Sequence, residues 1–321
     1  MSADDLIYFP DTKPGFRRRR CGRGFTYIGQ DGAILRDANI RARLKSLAVP
    51  PAYTDVWYCP DPSGHLLATG RDAKGRKQYI YHPAWTAAQS DAKFEALVPF
   101  GKRLPRLRRR LSRDLGSDAG SRNFALAAAV TLIDKTAIRL GSPEYRVENG
   151  SYGALTLRDH HVKIDGSRIK FRYDAKGGQQ VQHRMKDAKL ASILQDITDV
   201  PGRTILTWVD PSGASQTLTS SGLNAYIAEA IGLEDVSAKT FRTWIGSCAA
   251  FEVACKGPAS ISEMATAAAE RLHNTQTIAR NSYIHPAIID LADCAPPSCD
   301  PASTDGLRVA EQNLLEFLQT L

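Results

Sequence analysis

The periodicity of apolar residues changes once along the chain, and that change limits the fold more than any other feature. Up to about residue 84 the pattern is one of short β-branched and aromatic runs broken by Gly and Pro. Phe25-Thr26-Tyr27-Ile28 precedes a Gly29-Gln30-Asp31-Gly32 turn, and Val56-Trp57-Tyr58-Cys59 leads through Pro60-Asp61-Pro62-Ser63-Gly64 into His65-Leu66-Leu67-Ala68-Thr69-Gly70. Such runs predict strands and tight turns. Within this part only Asp37–Leu47 reads as a short helix, with Ile40, Leu44 and Leu47 on one face. After His82-Pro83 the period becomes helical. Leu104, Leu107, Leu111 and Leu115 form an apolar stripe ringed by arginines, and Phe124–Leu140 predicts a strong helix stopped by Gly141 and Pro143. A β insert follows, with strands at Gly153–Leu157 and Ile169–Tyr173, a turn at Asp174–Gly178 and a further run at Gln180–Gln182. Helices are predicted over Asp187–Ile197, Gly222–Ile231, Ala238–Ala254 and Ile261–Leu272. A Pro/Cys/Asp-rich stretch, Cys294–Thr304, sets off a last short amphipathic helix near Leu307–Leu318. The expected class is α+β: a small β-rich N-terminal domain over 1–84, a larger mainly α domain with a small β insert over 85–293, and a tail over 294–321.

Composition excludes several classes. With 321 residues, 43% of them hydrophobic and 24% charged, the chain is that of an ordinary globular protein able to bury a core without disulfides. The longest apolar run, Ala125–Ile133, is too short for a bilayer, where about 20 residues are needed. Met1-Ser2-Ala3-Asp4-Asp5 lacks the basic and apolar regions of a signal peptide. Six cysteines without CxxC spacing predict reduced thiols and a cytoplasmic location rather than a zinc or disulfide framework. The charge is more telling. Forty-two Lys and Arg against 34 Asp and Glu leave +8. Arg17–Arg20 are consecutive, and Arg103, Arg106, Arg108, Arg109, Arg110 and Arg113 crowd a second segment. Guanidinium forks match phosphate oxygens, so both clusters point to a polyanion partner.

Several familiar sites are absent. Gly70-Arg71-Asp72-Ala73-Lys74-Gly75-Arg76-Lys77 has the glycine spacing of a phosphate loop but lacks its terminal Lys-Ser/Thr, which argues against ATP binding. There is no GxSxG elbow and no HExxH. His160-His161 have no third ligand at metal spacing and read as a solvated loop. What remains is a set of basic residues at element boundaries together with one tyrosine: Arg139-Leu140-Gly141, Lys176 in a Gly-rich turn, Lys239-Thr240-Phe241-Arg242-Thr243-Trp244, and Ser282-Tyr283-Ile284-His285-Pro286.

These segments resemble the active-site boxes of the type IB DNA topoisomerases, most of all the small bacterial and poxvirus-like branch. Arg20-Cys21-Gly22-Arg23-Gly24-Phe25-Thr26-Tyr27 and Gly70–His82 extend the resemblance into the N-terminal part, and it runs from about residue 18 to residue 290. The resemblance implies a clamp of a β-rich domain and an α-rich catalytic domain of the tyrosine recombinase/topoisomerase IB type around duplex DNA. It implies relaxation of supercoils by nicking and resealing one strand through a 3′-phosphotyrosyl intermediate, in a bacterial, cytoplasmic and nucleoid-associated monomer, with no cofactor, no ATP, no obligatory metal and no membrane partner. By motif, Tyr283 is the nucleophile, Arg139 and Arg242 contact the scissile phosphate and Lys176 is the general acid. Gln78, Tyr79, Tyr81 and Tyr145 match DNA-contacting positions, and Arg76 and Lys77 join them.

The chemistry of the residues agrees. Two guanidiniums stay protonated and neutralise the charge of a phosphorane. A phosphotyrosine ester keeps the energy of the bond broken, so resealing needs no nucleotide. The expelled 5′ oxygen needs a proton, which a lysine on a mobile Gly-Gly turn can deliver if neighbouring arginines depress its pKa. Viral and eukaryotic members carry a histidine as the fifth residue, in the viral form nine positions before the tyrosine. Here that position is Asn274, with His273 one earlier, and Asn274 is the expected donor. If the Ile261–Leu272 helix continued, the two side chains would point about 100° apart. A tyrosine recombinase fits less well, because Lys239 stands where its box carries His and the N-terminal part is β-rich. A non-catalytic DNA-binding clamp is disfavoured by the presence of Arg139, Lys176, Arg242 and Tyr283 together.

Overall fold

The computed structural model describes residues 2–141, 146, 150–200, 202, 204–298 and 304–321. The chain divides into two units, Met1–Lys93 and Phe94–Leu321. The first is built on a five-stranded antiparallel sheet of order β2-β1-β3-β4-β5, with β1 Phe16–Cys21, β2 Gly24–Ile28, β3 Thr54–Tyr58, β4 Leu66–Arg71 and β5 Lys77–Tyr81. Helix α1, Ala38–Ser46, is started by the Asp37 carboxylate accepting from Ile40 N, and its Leu44 is buried in a core with Phe16, Tyr27, Val56, Tyr58 and Ala68. The first arginine run lies on β1, so alternate side chains take opposite faces. Arg18 serves the fold and not a polyanion. Its guanidinium donates to Val49 O, Pro50 O and Tyr53 O at 2.8–2.9 Å and lies 4.1 Å from the Phe25 ring. Helix α2, Pro83–Glu95, runs across the division between the units.

The second unit is mainly helical: α3 Leu97–Asp114, α4 Arg122–Thr136, α5 Ala188–Thr198, α6 Ser220–Ile231, α7 Ala238–Ala254, α8 Ile261–Leu272, α9 Gln276–Tyr283, α10 Pro286–Ile289 and α11 Val309–Gln319. Its β insert is the antiparallel sheet β6-β7-β8, Val162–Asp165, Arg168–Ala175 and Gln179–Lys186, and β9 Thr207–Val209 pairs with β10 Ser215–Thr217. The Leu stripe of α3 is buried as its spacing requires, with Leu104 and Leu107 at 0% exposure. The arginines around it are partly committed inside the unit. Arg110 pairs with Asp114 at 2.6 Å and Arg108 with Asp134 and Glu311 at 2.9 and 2.7 Å, so these two do not await a polyanion. Among the described residues no helix is long and apolar enough to cross a membrane.

Three expectations are corrected here. Helix α4 stops at Thr136, because Ala137 turns left-handed with φ 55°. Arg139 therefore stands beyond the helix end. Residues 153–157 form no strand. Ala154–Thr156 is a single 3-10 turn whose Ala154 and Leu155 N–H groups donate to Arg139 O and Leu140 O at 2.8 and 2.9 Å. A Cβ on Gly153 would lie 2.4 Å from Arg139 O, so only glycine permits that approach. His161 is buried, not solvated. Its Nδ1 accepts from Arg158 N and its ring meets Tyr152 edge-on at 4.2 Å.

Candidate active site

The carbonyls left open at the end of α4 are taken by arginines from two other helices. Arg242, on the first turns of α7, donates through Nη1 to Ala137 O and through Nη2 to Leu272 O at 3.0 Å. Arg271, in the last turn of α8, donates to Lys135 O at 2.9 Å. Arg242 is 4% exposed, and its remaining Nε–H meets no acceptor.

Helix α8 does not continue past Leu272. His273 caps it in the left-handed region with φ 49°, which turns the next residue inward. Asn274 is consequently buried, and its Oδ1 accepts from Arg139 Nη2. Arginine has only donors, so the amide oxygen must face it and the NH2 must face away. That Nδ2 is buried and unpaired. His273 lines the pocket of Arg139 and Arg242, its ring 5.2 Å edge-on from His183. Its imidazole is driven down to about 4 by burial and by the neighbouring His183, Arg242, Arg271 and Arg139, so it stays neutral.

Tyr283 ends α9, its half-buried ring 4.9 Å from the Arg242 guanidinium carbon. Two residues of α7 seat it. A Cβ on Gly246 would lie 2.8 Å from Tyr283 O and 3.1 Å from Tyr283 Cβ, so glycine lets the tyrosine lie against the helix. The buried Ser247 hydroxyl donates to Tyr283 O at 3.2 Å and accepts from His285 N at 3.0 Å. Burial alone would raise the phenol pKa. The charge of Arg242, then those of Arg139 and Lys239, outweigh it, and the net pKa lies below the usual phenol value of 10. Tyr173, on β7, lines the same narrow pocket as Arg139 and Arg242. Its burial dominates, and its pKa is raised to about 12.

Lys176 sits in the β7–β8 hairpin turn, closed by the Ala175–Gln179 pair, and Gly177 and Gly178 take φ 85° and 73° there. Ala175 beside it lines the Arg139–Arg242 pocket, while the Lys176 side chain is exposed. The structure thus brings Arg139, Arg242, Asn274 and Tyr283 into one site and puts Lys176 on the turn next to it. Gly246, Ser247, Arg271 and Tyr173 were not singled out by sequence. The spacing of Gly246, one helical turn after Arg242 on α7, was the available signal.

The N-terminal candidates lie on β5, in the other unit. Lys77, Tyr79 and Tyr81 share its exposed face, the two tyrosine rings stacked at 5.9 Å and 8° with Lys77 Nζ 5.4 Å from Tyr79. Strand alternation puts Gln78 on the opposite face, where its amide donates to Asp72 at 3.1 Å. Asp72 also holds Arg76 at 2.6 Å, which pulls its carboxyl down to about 2, and Asp11 holds Lys77 at 2.5 Å. Tyr145 lies outside the described residues. No group of three or more His, Cys, Asp or Glu that could hold a metal ion occurs among the described residues.

Buried donors without acceptors, beside a phenol of lowered pKa, define a class of site: one that suits an oxyanion next to a tyrosine. Known proteins give that class a family. Residues 24–72 match the bacterial DNA topoisomerase IB N-terminal domain, and residues 82–280 match the catalytic core of eukaryotic DNA topoisomerase I. The second match takes in more than half of the chain, and the chain belongs to the type IB DNA topoisomerases. It is 29% identical over 234 residues to the DNA topoisomerase 1B of Acanthamoeba polyphaga mimivirus, covering 72% of this chain and 69% of that protein. The vaccinia virus enzyme of the same name is 24% identical over 169 residues, and the chain spans about half of its length, 52%. A solved structure of the XerH site-specific recombinase bound to difH substrate covers 57% of this chain and 49% of its own at 18% identity and a TM-score of 0.38.

Proposed function

We propose that the chain relaxes supercoiled duplex DNA by transient cleavage of one strand and religation, without ATP. One observation carries this reading of the site: Arg242 Nε, in the pocket that Arg139 also lines, and Asn274 Nδ2, on the residue bonded to Arg139, are buried nitrogens with no hydrogen-bond partner, and the Tyr283 ring lies against Arg242. A buried donor left unpaired costs about 1–3 kcal/mol, and a phosphodiester supplies the missing oxygens. In this mechanism Tyr283 gives up its phenol proton to water and its Oη attacks the phosphorus, displacing the 5′ oxygen, while Arg139, Arg242 and Asn274 hold the nonbridging oxygens as charge gathers on them. Lys176 gives a proton to the departing 5′ oxygen, and the DNA stays linked to Tyr283 through its 3′ phosphate. Rotation of the free end relieves supercoils, and attack of the 5′ hydroxyl reverses the chemistry. The exposed Lys77–Tyr79–Tyr81 face of β5 contributes a DNA contact, and the protein acts as a cytoplasmic, nucleoid-associated monomer.

The test is incubation of supercoiled plasmid with the protein in EDTA without ATP. Relaxed circles are expected from the wild type, and a covalent phosphotyrosyl adduct should be trapped by detergent. Tyr283→Phe should bind DNA and do neither. Relaxation by Tyr283→Phe at a comparable rate overturns the assignment.

A further inference from the structure

The tail after residue 303 lies outside both family matches, yet it supplies half of a buried ion cluster. Glu311 of α11 is 2% exposed and Asp134, in the last turns of α4, is 5% exposed. Arg108 of α3 joins them. Its Nη1 and Nη2 donate to the two Glu311 oxygens at 2.7 and 2.8 Å, and its Nε and Nη2 to the two Asp134 oxygens at 3.0 and 2.9 Å. Arg308 closes the ring, donating to Glu311 and Asp134 at 3.3 Å, and Arg108 Nη1 also reaches Gly306 O at 2.7 Å. Two cations and two anions balance, and all four carboxylate oxygens are used.

A buried cluster of this kind adds little stability over apolar side chains of similar volume, so its worth lies in fixing geometry. What it fixes is the end of α4. The carbonyls just after Asp134 are the ones that seat the active site: Lys135 O receives Arg271 and Ala137 O receives Arg242. Arg139 follows two residues later and meets Asn274, three residues after Arg271. We propose that the C-terminal segment is a positioning element of the catalytic site: Glu311, through Arg108 and Arg308, holds Asp134 and with it the register in which Arg139, Arg242 and Asn274 converge. The proposal rests on the topoisomerase reading of that site.

The test uses the full chain carrying Glu311→Gln, which keeps the shape and removes one charge. DNA affinity should stay within about twofold, while single-turnover cleavage falls on the order of tenfold, since small misplacements of catalytic groups are costly. In an Asn274→Ala background the same change should add little, because both act through one geometry. Leu218→Ala, a cavity in the same core, should lower the melting temperature at least as much without slowing cleavage. Should Glu311→Gln fail to fold, Arg308→Met at the more exposed edge of the cluster gives the same pattern in weaker form. Wild-type cleavage rates in both cluster variants, full additivity with Asn274→Ala, or equal slowing by Leu218→Ala each overturn the proposal. Absence of any cleavage by the wild type would instead overturn the topoisomerase reading.

Discussion

Asn274 is the position at which the geometry makes its sharpest demand. Its amide is polarised in one direction only: Oδ1 is held by Arg139, and the buried Nδ2 has no hydrogen-bond partner. Asn274→Ala removes a donor to a transition-state oxyanion, a loss of about 2–4 kcal/mol, or on the order of 10²–10³ in rate. The lost Arg139 bond, charge-assisted and worth about 1.5–3 kcal/mol, does not simply add, because Arg139 then turns its freed donor to the phosphate. Asn274→Asp separates the two roles. The carboxylate keeps Arg139 but sets a negative oxygen against the phosphate, so this isosteric change should cost more than alanine. Asn274→His should retain activity, because an imidazole N–H can replace the amide donor. His273→Ala should change cleavage little, within about threefold, since the ring packs on His183 and no step passes through it.

The assay is single-turnover cleavage of a duplex oligonucleotide at saturating protein, with melting curves for each variant. Wild-type rates in Asn274→Asp would refute the donor role, whatever alanine does. A crippled His273→Ala beside a normal Asn274→Ala would mean that the neutral imidazole, not the amide, reaches the phosphate.

Four further outcomes are expected. Lys176→Ala should slow cleavage severely on an ordinary substrate but hardly at all when sulfur replaces the bridging 5′ oxygen, because a thiolate leaves unprotonated; an equal defect on both rules out Lys176 as the acid. DNA affinity should fall with salt at a log–log slope of roughly −5 if about six phosphates are contacted, and a slope near zero contradicts the phosphate-binding reading of the +8 charge. The cleavage rate should rise with pH through an apparent pKa below 10, and that rise should move to higher pH in Lys239→Met, which removes one of the cations acting on Tyr283; an unmoved rise contradicts this. His161 and His273, held at about 4 by burial against 6.5 in the unfolded chain, contribute stability that is present above pH 6.5 and is lost as pH falls toward 4, so the melting temperature should drop across that window and not stay flat.

Much of the site was legible because its residues fall in short local boxes whose chemistry is distinctive. The change from mainly β to mainly α was legible because short strands dominate the chain up to Tyr81 and long helices dominate after Pro83, although α1 and the β insert each break that pattern. What failed did so for long-range reasons. Ala154-Leu155-Thr156-Leu157 has the composition of a strand, but its N–H groups are claimed by Arg139 O and Leu140 O. The α4 helix was expected to reach Leu140, yet Arg242, more than 100 residues later, takes the Ala137 carbonyl just past its end. Arg108 reads as a phosphate ligand until Asp134 and Glu311 are folded against it, 26 and 203 residues away. No local pattern announces an ion pair of that span. Gly246 carries no chemistry of its own and matters only because Tyr283 lies on it.

The site contains two phenols near the same arginines, and their environments drive them apart. For both, burial is the largest influence and pushes the pKa up, while Arg242 and Arg139 pull it down. Tyr173 is 8% exposed and has no third cation, so burial wins and its pKa is raised to about 12. Tyr283 is half-buried, adds the charge of Lys239 to those of Arg242 and Arg139, and ends below 10. Pairs of titratable groups separated in this way divide their roles. At neutral pH Tyr173 is fixed as a protonated phenol, and Tyr283 is the one whose phenolate is within reach. In the proposed mechanism the cations that neutralise the phosphate therefore also prepare the nucleophile, which lessens the need for a dedicated base. It follows that Tyr173 does not substitute for the missing hydroxyl in Tyr283→Phe: it sits beside the same arginines, but burial holds its proton more tightly than in a free phenol, with the pKa raised to about 12.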